Sequence, residues 1–353
     1  MKILYLFNRV RTDIIRELEN GRENDNSFFG MYRLPHFGIQ AEHLEIEQFF
    51  SPKFASFLRR RILNIHYVHL PLFTKFFKYD IVFTSTAFGS LLAKAIFRLK
   101  RPKWVMFDFS ISGMVGKAET LKQKIFRFMI SRGVDGIITI SEEEARRIKK
   151  LFPKLSSGVQ FIPLGTDTHF FNVDPAIQED GGILTVGRDP YRDLGTFVRA
   201  FSDTAFPVTL IARSNQIQKL GKLPPHFTLK NPTSLDLVKE YARAKVFVLP
   251  LVMKDRLNEA VGCSTLVEAM AMGKAIVATR TFTMESYITD GENGILVPEG
   301  DAEALKKAVL DLLNDEPKRK RLGAEARRFA EKYCDAEKFA ESLSVYFKKM
   351  ESS

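Results

Sequence analysis

Short runs of β-branched and aliphatic residues recur along the chain, each followed by a stretch whose apolar positions repeat every three to four residues. In the first half the runs read KILYLF, DIVFTS, KWVMFDF, GIITIS and VQFIPLG; in the second they read ILTVG, VTLIA, FTLKN, KVFVLP and AIVAT. Strands that alternate with helices predict parallel sheets covered on both faces, and two such series predict two Rossmann-like domains in tandem. Gly, Pro, Asp and Asn cluster over residues 163–182, which sets the expected boundary close to Gly165. The expected division is therefore 1–165, 166–334 and a C-terminal helix over 335–353 that returns to the first domain. Beyond residue 300 the periodicity is nearly all helical, with a break expected at Pro317.

Length and composition fit this picture. A chain of 353 residues is longer than one core usually serves, and 45% hydrophobic with 27% charged residues leaves no long tract too polar to fold. Cys263 and Cys334 match neither a paired metal-ligand spacing nor a secreted disulfide framework, so a reducing cytoplasm is expected. The opening MKILYLFNRVRTDIIRELEN has too short an apolar core for a signal peptide or a spanning helix. A formal net charge of +11 favours anionic partners, and no recognised nucleic-acid motif accompanies it. Basic, Phe-rich stretches at 51–79 and 117–132 suit an anionic membrane surface, or else a Phe core under solvated cations.

Two clusters could carry chemistry. In AVGCSTLVEAMAMGKAIVAT, residues 260–279, Gly262 sits in a loop that turns into a helix ended by Gly273. The first amides of such a helix form an anion site. Thr265 and Glu268 also fit a capping box, which is the bland reading of that glutamate. In ILTVGRDPYRDLGTFVRAF, residues 183–201, a strand ends at Gly187 and Arg188 and Arg192 follow. Guanidiniums offer paired donors to a diphosphate; alternatively Arg192 pairs with Asp189 or Asp193 in a solvated loop. Both clusters occupy the carboxyl ends of strands, where open α/β sheets bind ligands. Their combination fits a diphosphate with a ribose attached, and Glu268 would accept from the sugar diol.

Those two stretches, with LVKEYARAKVFVLP and ESYITDGENGILVPEGDAEALKKAVLDLL, resemble the donor half of retaining GT-B glycosyltransferases of family 4, over residues 183–333. The resemblance implies an α/β GT-B fold, two Rossmann-like domains with a cleft between them. It implies a hexosyltransferase that moves a sugar, with retention, from a nucleotide diphosphate donor (UDP favoured over GDP) to a glycan, lipid-linked or other acceptor. No cofactor or metal is implied. Carried over by position, Arg188 and Arg192 meet the diphosphate, Glu268 holds the ribose, and Gly262, Cys263, Ser264 and Thr265 supply loop contacts. Asn231 in LKNPTS falls on the base-binding segment, and Gly30 in NSFFGMYRLPHFG falls on the glycine loop after the first strand.

The sequence departs from the family in two places. Ala260 stands where the first of two paired glutamates belongs, with Glu259 one residue off, and Phe107 stands where many relatives carry a histidine before Asp108. Asp108 is either a charge-stabilising residue or a cap for the following segment. Epimerases of the same fold and an inactive nucleotide-sugar-binding protein are the alternatives. A cytoplasmic location, peripheral at the membrane's inner face, is expected.

Overall fold

The computed structural model describes residues 1–45, 54, 57, 69–85, 87–109, 111–116, 120–253 and 260–352. It divides into two compact units. The first holds Met1–Gly21, Ser27–Ile162 and Phe339–Ser353; the second holds Arg22–Asn26 and Pro163–Lys338.

The first unit is built on a parallel sheet of strands β1 (Lys2–Leu6), β2 (Gln40–His43), β3 (Ile81–Thr84), β4 (Lys103–Asp108), β5 (Gly136–Thr139) and β6 (Val159–Phe161), in the order β2-β1-β3-β4-β5-β6. Its helices are α1 (Thr12–Glu19), α2 (Phe88–Phe97), α3 (Ile111–Val115), α4 (Leu121–Gly133) and α5 (Glu142–Leu151). The core strands are apolar on both faces because helices cover both; β3 and β5 are buried at every position. Edge strand β2, QAEH, alternates exposed and half-buried residues, and so lacks the apolar run that marks the others.

The second unit repeats the plan. Its strands are β7 (Ile183–Val186), β8 (Val208–Ile211), β9 (Phe227–Lys230), β10 (Val246–Leu249), β11 (Ala275–Thr279) and β12 (Ile295–Val297), ordered β12-β11-β10-β7-β8-β9. This is the doubly wound dinucleotide-fold order, and it reverses between β7 and β10. The helices that follow are α6 (Leu194–Phe201), α7 (Ser214–Ile217), α8 (Ser234–Arg243), α9 (Cys263–Ala271), α10 (Phe282–Glu285), α11 (Ala302–Asn314) and α12 (Glu316–Phe329). The helical run is broken at Asp315, two residues before the expected Pro317. The proline stands in the first turn of α12, where a missing amide hydrogen is harmless, behind the capping side chain of Asp315.

The chain changes unit four times, where a single linker would require one change. Residues 22–26 reach into the second unit, where Asn26 accepts from the Asp167 amide at 2.8 Å and donates to Thr166 Oγ1 at 2.9 Å. Helix α13 (Ala336–Glu351) ends in the first unit. There Tyr346 donates to the Gly158 carbonyl at 2.5 Å, and Phe347 meets Phe83 edge to face at 5.4 Å.

Candidate functional site

The carboxyl ends of β7 and β10, where the second sheet's order reverses, are stitched together by the backbone. Asp193 N donates to Pro250 O at 3.0 Å and Val252 N to Tyr191 O at 2.9 Å, while Arg192 and Leu251 form an isolated antiparallel bridge. The turn carrying both arginines is thereby fixed against the loop that leads to α9.

Arg192 is buried, at 7% exposure. Its Nη2 donates to Thr265 Oγ1 at 2.9 Å, and Nε lies 3.1 Å from Asp189 Oδ2. Its Nη1 has no partner among the described residues. Burial pulls the guanidinium's pKa down, while Asp189, Tyr241 and Glu268 push it back up. The ion pair with Asp189 is present, but Arg192 itself is buried, while Arg188 and Pro190 of the same loop are exposed. Asp193 is committed elsewhere, capping α6 through the Thr196 amide at 3.0 Å.

Two glycines make room for this cation. A Cβ on Gly187 would sit 1.6 Å from Arg192 Nε. Gly262 has φ +83, in the region only glycine occupies freely, and a Cβ there would lie 2.8 Å from Arg192 Nη1. Gly262 is the N-cap of α9, and no side chain caps that helix. The Thr265–Glu268 capping box is therefore absent: Thr265 already lies inside the first turn, donating to Gly262 O at 3.0 Å and accepting from Arg192.

Glu268 lies a turn further along α9, half-buried, and accepts from Tyr241 Oη at 3.1 Å. Burial raises its pKa to about 7, with the Tyr241 hydrogen bond opposing, Glu23 adding to the rise and Arg192 opposing it. Tyr241 sits on α8, whose start lies beside the exposed Arg188: Arg188 Nη2 donates to Asn231 Oδ1 at 2.7 Å. Cys263 and Ser264 open α9; the Cys263 amide donates to Ala260 O at 3.3 Å, its thiol is buried with its pKa pushed up to about 12 by burial, and Ser264 is exposed. A cavity of about 470 Å³ adjoins the arginines, bordered by Arg188, Arg192, Arg213 and Lys219 and by the start of α6.

The second unit thus brings together Arg188, Arg192, Asn231, Gly262, Cys263, Ser264, Thr265 and Glu268. Sequence reasoning missed Tyr241 and Glu23. Tyr241 reads as a core position of α8, and its hydroxyl was the only signal that it needed a buried partner. Glu23 lies in GRENDN, where nothing in the pattern marks a residue that joins the second unit and accepts from Ser234 Oγ at 2.5 Å. Of the remaining candidates, Asp108 and Gly30 belong to the first unit. Glu259 falls outside the described residues. Asp108, at the end of β4, accepts from the Ile111 amide at 2.6 Å and so caps α3. Gly30 has φ +77 and faces α13, where a Cβ would lie 3.1 Å from Leu343 Cδ1. Packing alone therefore accounts for a glycine at position 30. Among the described residues, no group of three His, Cys, Asp or Glu side chains is placed to hold a metal, and no helix is long and apolar enough to cross a membrane.

Residues 213–329 match the family described as glycosyl transferases group 1. An uncharacterised glycosyltransferase of Methanocaldococcus jannaschii is 30% identical over 41% of this chain and 41% of its own. The phosphatidyl-myo-inositol mannosyltransferase of Mycolicibacterium smegmatis is 35% identical over 54% of this chain and 52% of its own. The chain thus spans about half or less of the curated relatives it matches here. Among solved structures, Anabaena HepE in complex with UDP-glucose has a TM-score of 0.71 at 14% identity, covering 99% of this chain and 100% of that one. Sucrose-phosphate synthase of Thermosynechococcus elongatus has 0.69 at 18%, covering 99% of each. The two parallel six-stranded sheets match these GT-B folds, and the domain match with the named relatives supports a glycosyltransferase.

Proposed function

We propose that the protein is a retaining glycosyltransferase of family 4 that takes a hexose from a nucleotide diphosphate donor. The observation that carries this is Arg192, a buried guanidinium with an unspent nitrogen, fixed between the start of α9 and a carboxylate one turn on. A buried charge short of partners destabilises a free protein, and an anion that completes its bonds reverses the sign. Arg188 and the α9 amides add donors for the second phosphate, and Glu268 accepts from the ribose diol. Glycosyl transfer places negative charge on the departing diphosphate, so preorganised donors there lower the barrier without a metal. The departing phosphate can itself take the acceptor's proton.

UDP is favoured as the carrier, in keeping with the UDP-glucose held by HepE on the same fold. A glycan or lipid-linked acceptor is supported by the mannosyltransferase relative, whose name specifies phosphatidyl-myo-inositol. The first unit supplies a face suited to such a substrate. Leu121, Ile125 and Phe128 are 74%, 42% and 36% exposed along one stripe of α4, and Lys122, Lys124 and Arg132 flank them. Apolar residues beside cations fit a peripheral docking site on an anionic cytoplasmic membrane face. Most of 51–60 and all of 61–68, the other stretch named from sequence, lie outside the described residues.

Incubation with UDP- and GDP-hexoses, followed by melting temperature and by slow hydrolysis of the donor, tests this reading. Stabilisation and hydrolysis by one carrier are expected; a melting temperature unmoved by any of them overturns it.

A further inference from the structure

A second buried guanidinium, in the other unit, has no counterpart in the donor site. Arg11 is 3% exposed, at the carboxyl ends of β1 and β2 and next to the β1/β3 position where the first sheet's order reverses. Its guanidinium carbon lies 4.7 Å from the Phe7 ring centre and 5.9 Å from that of Phe28, two rings set edge to face at 89°, so aromatic carbon rather than water surrounds much of the cation. Neither Nε nor Nη1 has a partner among the described residues. Glu45 is close enough to support the charge, yet its oxygens are spent on other donors: the Arg11 amide at 2.5 Å and Thr12 Oγ1 at 2.7 Å. His43 Nε2 stands 3.9 Å from the same carboxylate, and burial lowers its pKa, so it adds little positive charge near neutral pH. Arg9, exposed beside the site, adds to the positive potential and, with burial, lowers the Arg11 pKa to about 10.

Arg11 is also the N-cap of α1, an eight-residue helix with no N-cap side-chain hydrogen bond to its first amides. The exposed flanks, Arg9 and Thr12, open that helix end to solvent. Buried donors without acceptors are costly, and here they coincide with a helix N-terminus and a sheet edge of the kind that binds ligands.

We propose that Arg11, with the start of α1, binds an oxyanion, a phosphate ester or carboxylate carried by the acceptor substrate. The assignment of this anion to an acceptor rests on the transferase reading, whereas the site itself does not. Recognition needs only a group small enough to reach between Phe7 and Thr12 and charged enough to complete the Arg11 bonds. The rest of the acceptor then extends over Arg9.

The test follows the melting temperature of the full chain against inorganic phosphate and acetate, with chloride matching the ionic strength and UDP present throughout. At least one of the two anions should stabilise the wild type saturably. Arg11→Met should weaken that response at least tenfold, while Arg188→Ala leaves it in place. Vesicles with and without phosphatidic acid separate the sources: Arg11-dependent sedimentation assigns the anion to a lipid headgroup, and an Arg11-dependent response to the soluble anions alone assigns it to a soluble ester or acid. Equal responses in wild type and Arg11→Met, or no response to phosphate, acetate or the acidic vesicles, overturn the proposal. Should Arg11→Met fail to fold, Arg11→Lys decides, since a point charge cannot replace two fixed donors: several-fold weaker binding supports the site and unchanged binding overturns it. The response to UDP alone is read separately, so a donor site that fails leaves the Arg11 comparison intact.

Discussion

Replacing Glu268 with Gln should reshape the protein's pH response. Burial holds the Glu268 pKa at about 7 against an ordinary 4.5, so the folded chain keeps a proton there that the unfolded chain has lost. Between those values the native state binds more protons, and stability therefore falls as pH rises. The full contribution is present below 4.5 and is lost as pH passes through about 7; 2.5 pKa units correspond to about 3.4 kcal/mol, of which about 2.5 kcal/mol falls between pH 5 and 8. Glutamine copies the protonated form and keeps an acceptor for Tyr241, so the variant should gain that amount on the wild type over the same interval. Urea unfolding of both proteins at several pH values measures the difference, and titrations elsewhere in the chain cancel. The only tryptophan, Trp104, belongs to the first unit, so circular dichroism is the better reporter. Ribose hydroxyls prefer the ionised acceptor, so UDP binding to the wild type should weaken by up to tenfold per unit below pH 7, and binding to the variant should not follow. Parallel stability curves for the two proteins would refute the account of a buried, proton-holding carboxylate.

Arg188→Ala should weaken UDP binding about tenfold with a melting temperature close to wild type, because Arg188 is exposed and loses only the bond to Asn231; calorimetry with UDP checks this. Gly262→Ala should cost about 1–3 kcal/mol and also weaken UDP, since both its positive φ and the nearness of Arg192 Nη1 oppose a methyl group; urea unfolding reads the first effect. Leu121→Ser with Phe128→Ser should reduce sedimentation with anionic vesicles several-fold and leave UDP binding unchanged, an outcome a purely structural α4 face would not produce.

Most strands legible in sequence were those buried on both faces, where the apolar run is continuous; the half-exposed edge strands β6 and β9 were read from their β-branched and aromatic residues. β2 was not legible because QAEH carries no apolar run, and β12 was not because Ile295–Val297 stand enclosed by the turn residues of DGENG and PEG. Gly273 was legible as a helix stop: α9 ends at Ala271, and Gly273 takes φ +62. The break expected at Pro317 falls two residues earlier, at Asp315, because proline favours the first turn of the helix it opens. Arg188 and Arg192 stood out by charge after the end of β7, and Glu268 as a lone carboxylate in an otherwise apolar helix. Tyr241 and the 22–26 excursion could not, since a partner that arrives from a distant segment leaves no local spacing.

The treatment of charge differs between the strand ends in a way that bears on mechanism. Asp108 spends one oxygen on the amide of the next helix. Arg192 is handled differently. Its bond to Thr265 and its pairing with Asp189 leave Nη1 unmet, and glycines at 187 and 262 keep the surrounding space open for the guanidinium. Holding a cation this way lowers the stability of the free protein, and methionine of similar volume would avoid that cost. The arrangement makes sense as preorganisation, because donors already desolvated need no rearrangement when negative charge develops on a leaving diphosphate. On the proposed reading, Ala260 in place of the first of the family's paired glutamates removes one point of sugar recognition and leaves charge stabilisation intact. Donor selectivity among hexoses should then be loose, because the contacts of Arg188, Arg192 and Glu268 are to the diphosphate and ribose that every such donor carries.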